Sequence, residues 1–360
     1  MGTAVLGDDP QLCGIDGRSA TLTVFCPLGL SNRLRVLLSG LALAEASNRR
    51  FTMFWPLTPA CAAPFADLFA NPWPVETVDA AAIAGWPYIS GWFAEVPDLL
   101  VAREPRLVIG HPTWLIRPGQ FAHHDRLAAR CRDLFAELQP IPSIQQTAER
   151  FRQERFRPIM IGVHLRRGDL LRQRPDVAAN SDQALAAVDR YLAEFPDAGI
   201  LLCTDDGSVE PDTGKTSREG VHERFHTRYG ASVVWTTPRS LDRNTPAAIQ
   251  DALVDLWLLR QSDCFVGSEG SSFSELALYG RVLPHVLVAG ATPRYQRLER
   301  LARLTGVAAA LRAHGRRQLG KDLPFPVLLR HYLALPRRWL GRMLRFAAPA
   351  LYQKIRRART

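Results

Sequence analysis

Between residues 159 and 288 one pattern repeats along the chain: a short apolar run, a polar turn, then a helical stretch. Ile159–His164, Gly199–Cys203, Ser232–Trp235, Asp263–Gly267 and Val282–Val288 read as short strands buried on both faces. Segments 182–194, 218–229, 246–261 and 272–280 read as helices between them. Strand and helix alternating in this way predict an α/β half whose parallel sheet is doubly wound, with helices on both faces. Ligands of such sheets bind beyond the carboxyl ends of the strands, so the polar residues at those ends are the informative ones.

The first half of the chain is less regular. Thr21–Phe25 reads as a strand, a Pro/Gly turn follows, and an apolar helix runs through about Ser47 to a second strand, Phe51–Trp55. Residues 56–120 are rich in Pro, Trp and Phe and predict irregular structure with short helices. His123–Leu138 reads as a helix that stops at Gln139-Pro140-Ile141-Pro142, a hinge sequence. The expected organisation is an N-terminal α/β domain over 1–142, a Rossmann-like domain over 143–300 and a basic helical tail over 301–360. A chain of 360 residues can fill two such cores.

Charge is concentrated in that tail. Of a net charge of +10, residues 330–360 supply nine Lys or Arg and no Asp or Glu, leaving about +1 elsewhere. A chain-wide basic surface for nucleic acid is therefore excluded. Within the tail, Trp339, Leu340, Met343, Leu344, Phe346 and Ala347 share one helical face, and Arg337, Arg338, Arg342 and Arg345 the other. Residues 336–360 thus read either as an interfacial helix on an anionic membrane or as a helix packed on the body with its arginines in water. No segment reaches the roughly 18–20 apolar residues that cross a bilayer, and the N-terminus lacks the pattern of a secretory signal. The six cysteines are scattered, without CxxC, and read as buried reduced thiols. Together these predict a cytoplasmic protein, not secreted, with a peripheral place on the inner face of the cell membrane if the tail docks there.

Four motifs carry chemistry. In Ile161-Gly-Val-His-Leu-Arg-Arg-Gly-Asp169, His164, Arg166, Arg167 and Asp169 follow directly on a buried strand. A diphosphate leaving group needs fixed positive charge, and guanidinium groups bind phosphate oxygens in pairs. In Leu201-Leu-Cys-Thr-Asp-Asp206 a carboxylate at a strand end can accept from N1–H and the amino group of guanine; an N-cap or turn is the plainer reading. In Gly267-Ser-Glu-Gly-Ser-Ser-Phe-Ser-Glu275, free N–H groups and serine hydroxyls at a helix start suit an anion, and a Ser272/Glu275 capping box is compatible with that. In Pro27-Leu-Gly-Leu-Ser-Asn-Arg33, Gly29 permits a tight turn, and Asn32 and Arg33 are expected to point into a cleft between the halves.

In this order, a GxxN helix start, H-x-R-R-x-D after a strand, T-D-D and an S-S-F-S helix start resemble the fucosyltransferase superfamily. That superfamily includes the α1,6-, rhizobial nodulation and protein O-fucosyltransferases, and the resemblance spans roughly residues 20–290. It implies two Rossmann-like halves facing a cleft (GT-B-like), with the N-terminal domain on the acceptor side and the C-terminal one holding a nucleotide sugar. It implies an inverting, metal-independent transfer of fucose from GDP-fucose, without a cofactor, to a hydroxyl of a glycan or glycolipid acceptor. By position, Arg166 and Arg167 would hold the diphosphate. His164 and Asp206 would lie near guanine and ribose; Ser271, Ser272 and Phe273 would close around the phosphates, and Gly29 and Asn32 would approach from the other domain. Asp169, Asp176 and Asp182 are the candidate acceptor bases. Another nucleotide sugar, or a sugar-nucleotide-binding protein without catalysis, is the alternative.

Two further patterns point elsewhere and are weaker. His222-Glu-Arg-Phe-His226 fits the zinc motif H-E-x-x-H but sits among Lys215, Arg218, Arg224 and Arg228, and reads as a surface helix without a third ligand. Gly214-Lys-Thr216 ends like a P-loop whose opening glycine is Val209. No two aspartates are separated by one residue, so the Asp-x-Asp pair that holds Mn²⁺ or Mg²⁺ in many sugar-nucleotide enzymes is missing from the sequence. Fixed arginine charge can do the work of such an ion.

Overall fold

The computed structural model describes residues 20–89, 100, 102, 104–116, 124–167, 180–205 and 220–288. The expectations for Asp169, Asp176, Asp206, Gly214–Thr216, Cys13 and the tail fall outside these residues.

Strands β1 (Thr21–Phe25), β2 (Arg50–Leu57), β3 (Val75–Asp79) and β4 (Arg106–Gly110) form one sheet, in the order β3-β2-β1-β4, every pair parallel. Strands β5 (Met160–Leu165), β6 (Gly199–Thr204), β7 (Val233–Val234), β8 (Cys264–Ser268) and β9 (His285–Val288) form the other, in the order β7-β6-β5-β8-β9, again parallel. In each sheet the order reverses beside its first strand, so connections leave β1 and β4, or β5 and β8, in opposite directions. A crevice opens there at the carboxyl ends. His164 stands at that place, in register with Cys203 on β6 and Gly267 on β8.

The helices are α1 (Leu30–Ala46), α2 (His124–Glu137), α3 (Pro142–Arg155), α4 (Asn180–Glu194), α5 (Val221–Tyr229), α6 (Pro246–Leu259) and α7 (Ser272–Leu278). Helix starts follow local chemistry. Proline opens α3 and α6, where its missing N–H costs nothing. Thr245 caps α6 by accepting Ala248 N–H at 3.3 Å. α1 buries fourteen of its seventeen residues, Arg33 and Arg35 among them, which makes it a central helix buried nearly all round rather than an amphipathic surface one.

The second sheet is covered on both faces. Ile200 and Leu202 of β6 join Val188 of α4 and Phe225 of α5 in one core. Leu201 and Cys203, alternating with them, join Leu253 and Leu256 of α6 in another, which continues through α1, α2 and β1 of the first half. A fully buried Leu or Phe contributes roughly 1.5–3 kcal/mol, so this continuous core binds the halves together strongly.

Two expectations need correction. Residues 56–120 hold β3 and β4, not merely irregular structure. The last strand begins at His285, and Val282 ahead of it is exposed. The Gln139–Pro142 link is hydrogen-bonded to the first half: Ala70 N–H donates to Gln139 O (2.9 Å), Ile141 N–H to Leu68 O (3.0 Å) and Gln139 N–H to Asn71 Oδ1 (2.7 Å). The five described cysteines are buried and free.

Candidate functional site

A cavity of about 570 Å³ lies where the Leu28–Asn32 turn meets the carboxyl ends of β5 and β6, the turn before α7 and one side of α6. Gly29, Asn32, His164, Arg166, Ser271, Ser272 and Phe273 all line it. Residues 240 positions apart in sequence thus share one wall.

The Leu28–Asn32 turn is set by Arg33, which corrects the expectation that Arg33 faces the cleft. Its side chain is fully buried and donates to Leu28 O (2.6 Å), Pro56 O (2.6 Å) and Thr58 Oγ1 (2.8 Å), with its guanidinium 5.1 Å from the Trp55 ring centre. A buried cation held by carbonyl oxygens fixes the backbone that supplies them, and so aims Asn32.

His164 is buried at the end of β5. Its Nδ1 lies 2.7 Å from Ser274 Oγ, and its ring stacks on Phe273 with centroids 4.7 Å apart. Burial, and then the charge of Arg166, push its imidazole down to about 3, so it is neutral at ordinary pH. Ser274 Oγ also accepts Ser268 N–H at 3.1 Å, which joins the end of β8 to α7. Gly267 makes this approach possible, because a Cβ there would stand 2.9 Å from Ser274 Oγ. Gly270, at φ +73°, takes the left-handed turn that leads into α7.

Arg166 reaches the cavity wall, and its backbone N–H donates to Ser268 Oγ at 2.9 Å. Arg167 departs from the expectation. It does not line the cavity, and its Nη1 donates to Ser181 Oγ on α4 at 2.7 Å. Successive side chains leaving an extended strand point to opposite sides, so the Arg-Arg pair is divided between two places. Asp182 also departs from it: the carboxylate sits on α4, accepts from Arg224 Nη2 at 2.5 Å and is absent from the cavity lining.

The Ser272/Glu275 capping box does not form. Ser271 is the N-cap residue, and Glu275 accepts instead from Arg35 of α1 and from Trp114 Nε1 at 2.5 Å. His222 and His226 sit at 5.0 and 6.2 Å from the ring of Trp235, packed against its edge; His222 is buried, which corrects the picture of a purely surface helix. Among the described residues no three His, Cys, Asp or Glu side chains gather as a metal set.

Two lining residues escaped the sequence reading. Asp255 of α6 is partly buried in the cavity wall, accepts from Thr236 Oγ1 at 2.6 Å and touches the Cys203 thiol; desolvation there lifts its carboxyl to about 7. A single carboxylate inside Ala252-Leu-Val-Asp-Leu-Trp-Leu-Leu259 was the available signal, because such a group needs a partner to be tolerated. Arg243, in the turn before α6, also lines the cavity, and nothing in its Asp-Arg-Asn-Thr-Pro setting distinguishes it from an ordinary loop arginine.

No family model matches the chain, and no curated protein matches it. Among solved structures, it is similar to the α1,6-fucosyltransferase NodZ soaked with GDP-fucose, at 18% identity and a TM-score of 0.48 over 72% of this chain and 92% of that one. It is similar to NodZ from Bradyrhizobium at 17% identity and a TM-score of 0.46, over 72% and 92%. It is similar to POFUT1 in complex with GDP at 15% identity and a TM-score of 0.46, over 76% and 99%. Likeness at this distance concerns the course of the chain and says nothing of individual side chains.

Proposed function

We propose that the protein is a glycosyltransferase that takes a sugar from a GDP-linked donor bound in this cavity. The observation that carries the reading is the meeting of Asn32, His164, Arg166, Asp255 and Ser271 on one wall at the switch point of the second sheet. An ionised Asp255 would accept two hydrogen bonds from guanine N1–H and its amino group, an edge that adenine and the pyrimidines lack. Asp206, which the resemblance puts near guanine and ribose, lies outside the described residues. Arg166 would face the diphosphate. Asn32 Oδ1, Thr204 Oγ1 and Ser271 Oγ, on residues of this same cavity, are buried without a hydrogen-bond partner among the described residues. Each unsatisfied group costs about 1–3 kcal/mol, a deficit that a polar ligand can repair.

In the transfer, the bond between the sugar carbon and the β-phosphate oxygen breaks and its electron pair leaves with GDP. The acceptor oxygen forms its bond from the opposite face, inverting that carbon. Arg166 stabilises the charge that grows on the departing diphosphate. The acceptor proton passes to a base, for which Asp169 and Asp176 remain the candidates. The choice of fucose, a metal-free reaction and a glycan or glycolipid acceptor rests on the four-motif resemblance, and attachment to an anionic membrane rests on residues 336–360. Hydrolysis of a panel of nucleotide sugars by the purified chain tests the reading: GDP-fucose should be consumed fastest. Consumption of only uridine-linked or adenosine-linked donors would overturn it.

A further inference from the structure

Asp205 has two arginines on one oxygen. Arg166 Nε lies 3.1 Å from its Oδ2, and Arg243 Nη2 donates to the same atom at 3.0 Å. Its Oδ1 accepts the backbone N–H of Arg167 at 2.6 Å, which orients the carboxylate. Asp205, Arg166 and Arg243 all line the cavity, and their side chains keep 26%, 27% and 35% exposure. Two guanidinium groups therefore converge on one carboxylate oxygen at a solvent-reached wall of the cavity.

The turn that presents Arg243 is fixed at several points. Asp242 Oδ1 accepts Asn244 N–H at 3.0 Å, and Thr245 Oγ1 donates to Asp242 O at 2.8 Å. Ala62 N–H donates to Arg243 O at 3.2 Å, tying the turn to the first half beside the Leu28–Asn32 segment. Arg243 is thus held at the same wall as Arg166, whereas Arg167 is engaged by Ser181.

We propose that Arg243 is the second donor-phosphate-binding residue of this site, in the place the resemblance gives to Arg167, and that Asp205 is an internal counter-ion holding Arg166 and Arg243 together until a diphosphate takes its place. A carboxylate with two guanidinium groups mimics the pattern that a phosphate oxygen would make with the same fork geometry. Asp205 is then a positioning residue, and it competes with the incoming anion for both arginines.

The inference rests on the GDP-donor reading, and pyrophosphate separates the two. Full-length chain, with Arg243→Ala, Arg243→Gln and Asp205→Asn variants, is titrated calorimetrically with GDP, guanosine and inorganic pyrophosphate. Either Arg243 variant should lose about tenfold or more in GDP and pyrophosphate affinity, while guanosine, which also reports an intact fold, changes less than twofold. Asp205→Asn should bind pyrophosphate more tightly than wild type. Equal losses for GDP and guanosine, unchanged pyrophosphate binding in both Arg243 variants, or weaker pyrophosphate binding in Asp205→Asn would overturn the proposal. If wild type binds pyrophosphate through Arg243 but not GDP, the arginine pair stands and the donor reading falls.

Discussion

Arg35 of α1 and Glu275 of α7 form an ion pair across 240 positions of sequence, and it ties the first half of the chain to the helix that carries Ser272 and Phe273. The arginine is buried, whereas the carboxylate is about half exposed at 49%. Thr113 Oγ1 takes a second arginine proton at 3.2 Å, and Trp114 Nε1–H holds the other carboxylate oxygen. Burial pulls the Arg35 guanidinium below its usual range, and Glu275 pulls the other way.

The first prediction concerns this pair. Glu275→Gln would leave the buried Arg35 charge without a carboxylate, and the single amide oxygen could serve Arg35 or Trp114 Nε1–H but not both. An unsatisfied buried group costs about 1–3 kcal/mol, and the exposure of Glu275 places the expectation toward the lower end. Urea unfolding should show that loss as a shifted midpoint, with weaker GDP binding because α7 is less firmly seated. An unchanged midpoint would mean that the apolar core alone aligns the halves.

Glu275 also shows why the sequence is legible in some places and silent in others. The strands β5, β6 and β8 can be read because a strand buried on both faces is written as a continuous apolar run. The strand β3, Val-Glu-Thr-Val-Asp, cannot, because an edge strand with exposed positions carries no such run. Ser272 and Glu275 have the spacing of a capping box, yet a distant arginine and a tryptophan outcompete the local bond. The same holds at the site. His164 and Arg166 were marked by their place just after a strand, whereas Asp255 and Arg243 become site residues only when α6 and its leading turn fold over the ends of β6 and β5.

The second prediction follows from Asp255. Its carboxyl is lifted to about 7 by burial, well above its value in an unfolded chain. The neutral form therefore stabilises the empty fold at low pH, and that contribution fades as pH rises through about 7. Guanine binding has the opposite sign, since the ionised form accepts both donors. GDP affinity should rise as pH climbs from about 5.5 toward 8, by up to about tenfold per unit below the carboxyl pKa. Asp255→Asn should flatten that rise and erase the preference for GDP over IDP, which lacks the amino group. A preference for GDP that survives in Asp255→Asn would remove Asp255 from base recognition.

The third prediction concerns His164. Burial and the neighbouring Arg166 hold the ring neutral, with its titration pushed down to about 3. Nitrogen NMR of the ring should show one protonated and one bare nitrogen from pH 8 to pH 5, with no midpoint near 6.5. A His164 midpoint between 6 and 7 would show that the site admits enough water to solvate the imidazolium, and a role as a proton carrier would follow.

The fourth prediction is that turnover in excess EDTA matches turnover with added Mn²⁺ or Mg²⁺. Arg166 can supply fixed charge at the leaving group, and the chain carries no Asp-x-Asp pair. A strict requirement for a divalent ion would count against the fucosyltransferase resemblance and would direct attention to Asp205 and Asp206 as ligands.

The last prediction separates membrane docking from internal packing of the tail. Nine basic residues and no acidic one between 330 and 360 should attract an anionic leaflet, at roughly 1 kcal/mol for each residue that reaches the surface. Insertion of Trp339, Met343 and Phe346 would add apolar free energy, so binding should persist in part when salt screens the charges. Vesicles of phosphatidylcholine with a fraction of phosphatidylserine should sediment the full chain and leave a chain truncated after Pro324 in the supernatant. The truncated chain should still bind GDP, because every described lining residue of the cavity precedes residue 289. Substituting Arg337, Arg338, Arg342 and Arg345 with Gln should weaken sedimentation at low salt more than at high salt. Loss of GDP binding and of cooperative unfolding on truncation would instead show that the segment is part of the folded body, and absence of sedimentation at low salt would rule out the docking helix.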